Sequence, residues 1–383
     1  MKSTLYLLFS SALLFGCQQL ASAQDAVIWE LGKPNGSSEE FFLSPSGYKD
    51  FLAHDFGYED NYFIIGQNNL KQEFPYILPG PANGWGGTGG TSGIRTHFLN
   101  LYYQLSEIDK NGKYSLELDF VNSESKARPL IQIGINGKLF NYDLVKGTGL
   151  SEPKAGQVAK ENVIIPIDAE LLRNGFNQIT ITSLKGGWVE FDSFKLLGSP
   201  KTKLKTDYTS IVKEIKPSDF EYQSEAGKNQ HILVELLRLQ NHQDIKILVD
   251  GKRVYQKRLN KGLSKIEVPV QAVKKNTKSE VEIFVNNTLV KKSEVVRGPK
   301  PLGSASTYVN TMIGAAHSRW MIAPGPWMPF SMVKISPDNQ NTGWQAGYEP
   351  SIESIGTFSH IHEWTMAGLG TFPTTGPLKT VVG

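Results

Sequence analysis

The chain has 383 residues, of which 39% are hydrophobic and 10% aromatic, and a formal charge of +3. That length suggests two or three domains at roughly 100–200 residues each, and that apolar content excludes global disorder. A net charge this small gives no argument for nucleic acid as a partner.

The N-terminus reads as a targeting segment. Lys2 supplies a positive start, residues 5–15 are an apolar run, and Ala21-Ser22-Ala23 is a cleavage site before Gln24. The run is shorter than the ~20 residues a membrane-spanning helix needs, so no membrane insertion is expected. Residues 1–23 are therefore expected to be a signal peptide, and the chain to be exported to the periplasm or beyond the cell. The competing reading is a lipobox, Leu14-Phe15-Gly16-Cys17, with a lipid anchor on Cys17 at the cell surface; Phe15 fits that pattern poorly. Cys17 is the only cysteine, so the mature chain has no disulfide and must draw its stability from its cores.

Strand signals dominate from residue 25 to 199. Apolar or alternating runs predict strands at 62–65, 114–120, 130–135, 163–167, 178–182 and 188–197. Asn136-Gly137 between two such runs predicts a tight hairpin. Asp168 followed by Asn174-Gly175 predicts one short capped turn. Many short strands at this spacing predict a jelly-roll β-sandwich.

Residues 201–297 predict a smaller, immunoglobulin-like β-sandwich. Its expected strands are 232–239, 244–249, 253–259, 281–285 and 289–295, with turns at Asp250-Gly251 and Asn286-Asn287. Between 201 and 300 there are 21 Lys+Arg and 12 Asp+Glu. This excess reads either as a polyanion-binding surface or as the solvent face of strands, since the lysines alternate with apolar residues; the alternation favours the solvent face. Gly298-Pro299-Lys300-Pro301 begins a linker, 298–307.

Residues 308–383 hold four of the seven tryptophans and three of the seven histidines. Their short strand-like runs predict an incomplete β-sandwich segment, so the whole chain is expected to be all-β. Aromatics, glycines and the pair His360-Ile361-His362 point to loops shaped around a ligand, with sugar the favoured class.

Two stretches carry candidate site residues. The loop Asn83-Gly84-Trp85-Gly86-Gly87-Thr88-Gly89-Gly90-Thr91-Ser92-Gly93 lacks the Gly-Lys-Ser/Thr of a phosphate cradle, which argues against nucleotide. Trp85 either stacks on a sugar ring or covers a core edge, and Arg95 and His97 are placed to bond hydroxyls or a uronate. In the last segment the candidates are Trp344, His360, His362, Glu363 and Trp364. Residues two apart on a strand share a face, so His360 and His362 form a conceivable metal pair, but spacing places no third ligand and no metal site is assigned. The segment's carboxylates, Asp338, Glu349, Glu353 and Glu363, show no companion at a spacing informative for glycoside hydrolysis.

Two resemblances add to this reading. Ile28-Trp29-Glu30-Leu31-Gly32, Tyr48-Lys49-Asp50-Phe51, Asp60-Asn61-Tyr62-Phe63-Ile64-Ile65-Gly66, Phe74-Pro75 and Trp188-Val189-Glu190-Phe191-Asp192-Ser193 resemble the carbohydrate-binding-like third domain of rhamnogalacturonan lyases of polysaccharide lyase family 4. This implies a fold and a link to plant or algal polysaccharide, without lyase chemistry.

Tyr308-Val309-Asn310-Thr311-Met312-Ile313-Gly314 and Ala323-Pro324-Gly325-Pro326-Trp327-Met328-Pro329-Phe330 resemble the opening of glycoside hydrolase family 92, the calcium-dependent exo-α-mannosidases. Ile335-Ser336-Pro337-Asp338, Gly347-Tyr348 and Ile355-Gly356-Thr357-Phe358-Ser359-His360-Ile361-His362 continue it in order. The chain departs from the family after His362, where it reads Glu363-Trp364-Thr365, and at Trp327 and Ser331. The resemblance implies that acid, base and calcium ligands lie on a barrel following this segment. The expected function is then the N-terminal part of an exported enzyme hydrolysing an α-linked glycoside, mannoside first, with calcium in the full-length parent. This chain would bind oligo- or polysaccharide without its own catalytic pair. The alternatives are a non-catalytic polysaccharide-binding protein and an accessory protein of pectin degradation.

Overall fold

The computed structural model describes residues 26–54, 56, 61–86, 97–149, 160–225, 227–313, 325, 335–338, 348, 355–361 and 367–376. The targeting segment, Arg95, Trp344, His362, Glu363 and Trp364 lie outside the described residues. No helix among the described residues is long and apolar enough to cross a membrane.

Eleven strands build the first sandwich. They are β1 (Ala26–Gly32), β2 (Tyr62–Ile64), β3 (Ile77–Leu78), β4 (Phe98–Glu107), β5 (Tyr114–Ser123), β6 (Leu130–Ile135), β7 (Lys138–Asp143), β8 (Glu161–Ile167), β9 (Gly175–Lys185), β10 (Val189–Gly198) and β11 (Lys203–Lys205). One sheet runs β1-β10-β5-β8 with β3 beside β10; the other runs β11-β4-β9-β6-β7 with β2 beside β4. Their inner faces share one core, in which Phe41, Phe74, Phe120, Phe191 and Phe194 form a linked set of rings. Each such buried side chain contributes roughly 2–3 kcal/mol, which is how a fold without disulfides holds. Trp29 and Trp188, at the two ends of the lyase-like pattern, are buried in this core. The predicted hairpin is present: Asn136 and Gly137 take φ of 49° and 94° between β6 and β7, as a type I′ turn requires. Gly175, at the end of the predicted turn, has φ +90°.

Seven strands build the second sandwich: β12 (Ser210–Ser224), β13 (Gly227–Arg238), β14 (Gln243–Val249), β15 (Lys252–Leu259), β16 (Gly262–Gln271), β17 (Thr277–Val285) and β18 (Thr288–Arg297). Sheets β12-β13-β16 and β15-β14-β17-β18 enclose a small aliphatic core that includes Ile232, Val234, Ile247, Val268 and Ile283. This three-plus-four layout is immunoglobulin-like. Both predicted turns form, with positive φ at Asp250, Gly251, Asn286 and Asn287. β12 and β16 were not expected from the sequence, and each contains a proline. Pro217 and Pro269 are tolerated because both strands are sheet edges. The expected linker lies along β12: Glu221 N donates to Pro301 O at 2.8 Å and Gly303 N to Glu221 O at 2.7 Å.

The strand lysines of the outer four-stranded face pair across strands. Lys292 lies 2.8 Å from Glu280 and 3.2 Å from Glu282, Lys278 2.8 Å from Glu294, and Arg258 2.7 Å from Asp244. Part of the charge of this face is thus paired within the face itself, while Lys246 lies over the Phe284 ring and Arg253 bonds Gln256.

The two sandwiches meet through outward faces. Ile64 and Tyr102 of the first pack on Ile211 and Leu237 of the second, flanked by Phe176 and Tyr208. Gln67 Nε2 donates to the Thr206 and Tyr208 carbonyls at 2.8 and 3.0 Å. In the last segment the described strands are β19 (Ser336–Asp338), β20 (Thr357–Ile361) and β21 (Ala367–Thr371), in that sheet order.

Candidate functional site

Trp85 sits in a 3₁₀ turn, Gly84–Gly86, at the edge of the first core. The turn is fixed by backbone bonds: Gly86 N donates to Asn83 O at 2.9 Å, and Ala82 N to Gly186 O at 2.9 Å. A Cβ at Gly80 would meet the Gly187 carbonyl at 2.3 Å, so only glycine allows this close approach. The half-buried indole meets Tyr48 edge-on, with ring centroids 5.0 Å apart at 71°, and Phe51 at 6.3 Å and 80°. Tyr48 is also half-buried, and exposed Lys49 holds its ammonium 6.0 Å from the Tyr48 ring.

The indole closes the core edge and also leaves part of its ring at the surface beside Tyr48. Aromatic rings rimmed by a few polar groups are what a sugar with apolar C–H faces requires.

His97 is a correction. It was placed to bond a ligand, but it is fully buried, edge-on to Phe51 at 5.1 Å, with Nε2 2.7 Å from the Gly86 carbonyl. A carbonyl only accepts, so Nε2 carries the proton and His97 holds the Trp85 turn from beneath. Its position just before β4 gave no sign that the ring points inward.

Two carboxylates share strand β10. Asp192 is 1% exposed and accepts from the backbone of Asn35 at 3.1 Å and of Gly36 at 3.0 Å. Glu190 is 6% exposed and accepts from Ser38 Oγ at 2.7 Å. Burial pushes the Glu190 carboxyl up to about 7, with a bond from Ser38 opposing and the nearby Asp192 adding to the rise. Burial also raises Asp192, opposed by the Gly36 and Asn35 amides and by Lys160. These groups bind the 33–38 loop to the sheet. Lying under that loop, they are not placed to flank a glycosidic bond.

In the last segment, His360 lies on β20 with Nε2 2.9 Å from Thr371 Oγ1 on β21. Of the H-x-H pair only His360 falls among the described residues. Asp338 is buried and accepts from Ser359 N at 3.0 Å, an anchoring role. Among the described residues no group of three His, Cys, Asp or Glu side chains is placed to hold a metal ion. A hard cation such as calcium needs six to eight oxygen ligands, and no cluster among the described residues supplies such a set.

A cleft of about 240 Å³ opens where the two sandwiches meet. It is lined by Arg173 and Phe176 from the first and by Lys213, Glu214, Lys291 and Ser293 from the second. Sequence reading missed it because its residues are far apart in the chain and only the joint brings them together.

Comparison with known proteins agrees with the two resemblances. Residues 27–209 match the model described as polysaccharide lyase family 4, domain III, named CBM-like. Residues 308–382 match the model described as glycosyl hydrolase family 92 N-terminal domain. The chain thus carries β-sandwich domains related to those of carbohydrate-active enzymes. Among solved structures it is similar to a GH2 β-galacturonidase from Eisenbergiella tayi at 10% identity, covering 53% of this chain and 35% of that one, with a TM-score of 0.20. It is similar to the β-glucuronidase of Ruminococcus gnavus at 12% identity, with coverage of 53% and 35% and a TM-score of 0.18. For the β-D-mannosidase of Dictyoglomus thermophilum the identity is 11%, the coverage 53% and 29%, and the TM-score 0.20. The chain spans about a third of the length of these proteins. No curated protein matches it.

Proposed function

We propose that this chain is the N-terminal, substrate-holding part of an exported polysaccharide-degrading enzyme. Its parts are a carbohydrate-binding jelly roll at 25–199, a small spacer sandwich at 201–297 and, from 308, the start of a family 92-like domain. The observation that carries the reading is the half-buried Trp85–Tyr48 pair on a rigid sandwich edge, beside a glycine-rich loop. The matched models support it, since one is named CBM-like and the other belongs to a glycosyl hydrolase. The parent would hydrolyse an α-linked glycoside, with mannoside the first substrate to test and calcium as its cofactor.

Affinity electrophoresis in gels containing pectin, mannan or algal polysaccharide tests the binding role. Retardation is expected in at least one gel, and Trp85→Ala should weaken it by about 2 kcal/mol, roughly thirtyfold, as for a central aromatic anchor. Unchanged retardation of Trp85→Ala would reject the assignment of this site. The purified chain should release no mannose from an aryl α-mannoside with calcium present, because no described carboxylate pair flanks an open cleft. Calcium-dependent release would overturn the non-catalytic role.

A further inference from the structure

We propose that the cleft between the two sandwiches is a second binding site, selective for an anionic sugar unit bearing a carboxylate or sulfate. It is separate from the Trp85 face and does not depend on that face binding sugar.

The argument starts from charge pairing. On the outer face of the second sandwich Arg258, Lys278 and Lys292 meet carboxylates on neighbouring strands, Lys246 lies over the Phe284 ring and Arg253 bonds Gln256. In the cleft the pattern stops. Arg173, Lys213 and Lys291 have no carboxylate within ion-pair distance among the described residues. The one cleft carboxylate, Glu214, is held 2.7 Å from Lys216. Three cations without ion-pair partners thus face one small opening that holds a single carboxylate, which creates a positive potential there.

Their placement is specific. Lys291 and Lys213 lie on the edge strands β18 and β12. Lys291 is aligned with buried Ile283, so it leaves the inner face of its sheet rather than the solvent face. Its ammonium reaches the first sandwich, where a Cβ on Gly175 would lie 3.7 Å from Nζ. Lys213 donates to Tyr102 Oη at 2.9 Å, with Nζ 4.9 Å from the Tyr102 ring centroid and 5.9 Å from that of Phe176. Arg173 donates one N–H to the Asn136 carbonyl at 3.1 Å and keeps the rest of its fork for a ligand. The result is a cationic opening with an aromatic wall and two hydrogen-bonding neighbours, Asn174 and Ser293. Its volume is just under the roughly 300 Å³ at which ligand pockets begin, which suits one charged sugar ring rather than a chain.

Inward-pointing lysines on edge strands also occur as guards against edge-to-edge association. That role needs the ammonium in water, whereas here both ammonium groups lean over the first sandwich.

Calorimetric titration of the full chain tests the proposal with three probes of equal length: an oligogalacturonide, a sulfated galacto-oligosaccharide and the neutral galacto-oligosaccharide. At least one anionic probe should bind tenfold or more tighter than the neutral one, and weaken as salt rises. The tighter anionic probe identifies the carboxylate or the sulfate as the recognised group. Arg173→Gln and Lys291→Gln should each cost about tenfold in that affinity, Lys291→Arg should retain it, and Trp85→Ala should leave it unchanged. Equal affinity for the neutral probe would overturn the proposal. So would variants that aggregate or melt differently but bind normally, which is the signature of edge guarding. A loss of charged-probe binding on Trp85→Ala would assign the affinity to the other face instead.

Discussion

Replacing Glu190 with Gln should stabilise the protein above pH 7 by up to about 3 kcal/mol and have little effect at pH 4. The carboxyl is buried, and its pKa is raised from 4.5 to about 7 in the folded state. Below pH 4.5 both folded and unfolded chains hold the proton, and the contribution to stability is fully present. As pH rises toward 7 the unfolded chain releases its proton while the folded chain keeps it, so the contribution is progressively lost. At ~1.4 kcal/mol per pKa unit the full difference is about 3 kcal/mol. Gln has the shape of the protonated acid and keeps an acceptor for Ser38 Oγ. Denaturant melts at pH 4, 6 and 8 measure the effect. Asp192, also raised by burial, leaves a residual slope of the same sign in the variant. Identical slopes for wild type and variant would mean that Glu190 is ionised in the fold and that its site is wetter than its 6% exposure implies.

Leu237→Ala should cost about 3 kcal/mol and split thermal unfolding into two transitions. Leu237 is 2% exposed, yet it lies outside both sandwich cores and packs with Ile64, Tyr102 and Ile211 in the joint. Truncating a buried leucine removes its transfer energy and leaves a cavity, at 2–5 kcal/mol in general. Beyond this cluster few polar contacts cross the joint, among them Gln67 to the Thr206 and Tyr208 carbonyls and Gln104 to the Ser210 carbonyl at 3.2 Å. The apolar contacts must therefore carry most of the coupling. Differential scanning calorimetry reads the outcome. A single transition shifted by under ~1 kcal/mol would show that the joint is held elsewhere. The same variant should weaken anionic-sugar binding in the cleft, whose walls come from both sandwiches.

The turns were legible because their chemistry is local. Asn136-Gly137, Asp250-Gly251 and Asn286-Asn287 reverse the chain with the residues that tolerate positive φ, and each reverses it where predicted. β4 was not legible. Its central residues are buried on both faces, so Leu99, Leu101 and Tyr103 alternate with a Tyr102 covered by the second sandwich. The period-2 signal of Leu99, Leu101, Tyr103 and Leu105 against Asn100, Gln104 and Ser106 is broken at Tyr102, the outward position that the second sandwich covers. β12 was hidden by Pro217 and by register shifts between Val212 and Glu214 and between Pro217 and Glu221.

The candidate sites divide along the same line. Trp85 was readable as an aromatic in a glycine-rich loop, but its partners Tyr48 and Phe51 come from a turn more than thirty positions earlier. His97 read as a surface ligand and proved to be a buried prop, since inside and outside are not written in a residue's neighbours. Lys213 and Lys291 read as ordinary members of a lysine-rich, alternating stretch. By itself the sequence determined the all-β class, the hairpin turns and the kinship of both ends to carbohydrate-active domains, because these rest on local conformation and on ordered motifs. Only the tertiary structure decided which tryptophan edge stays at the surface, which carboxyl has its pKa raised by burial, and which three cations face one cleft without ion-pair partners. Those properties depend on what packs against each group from distant parts of the chain.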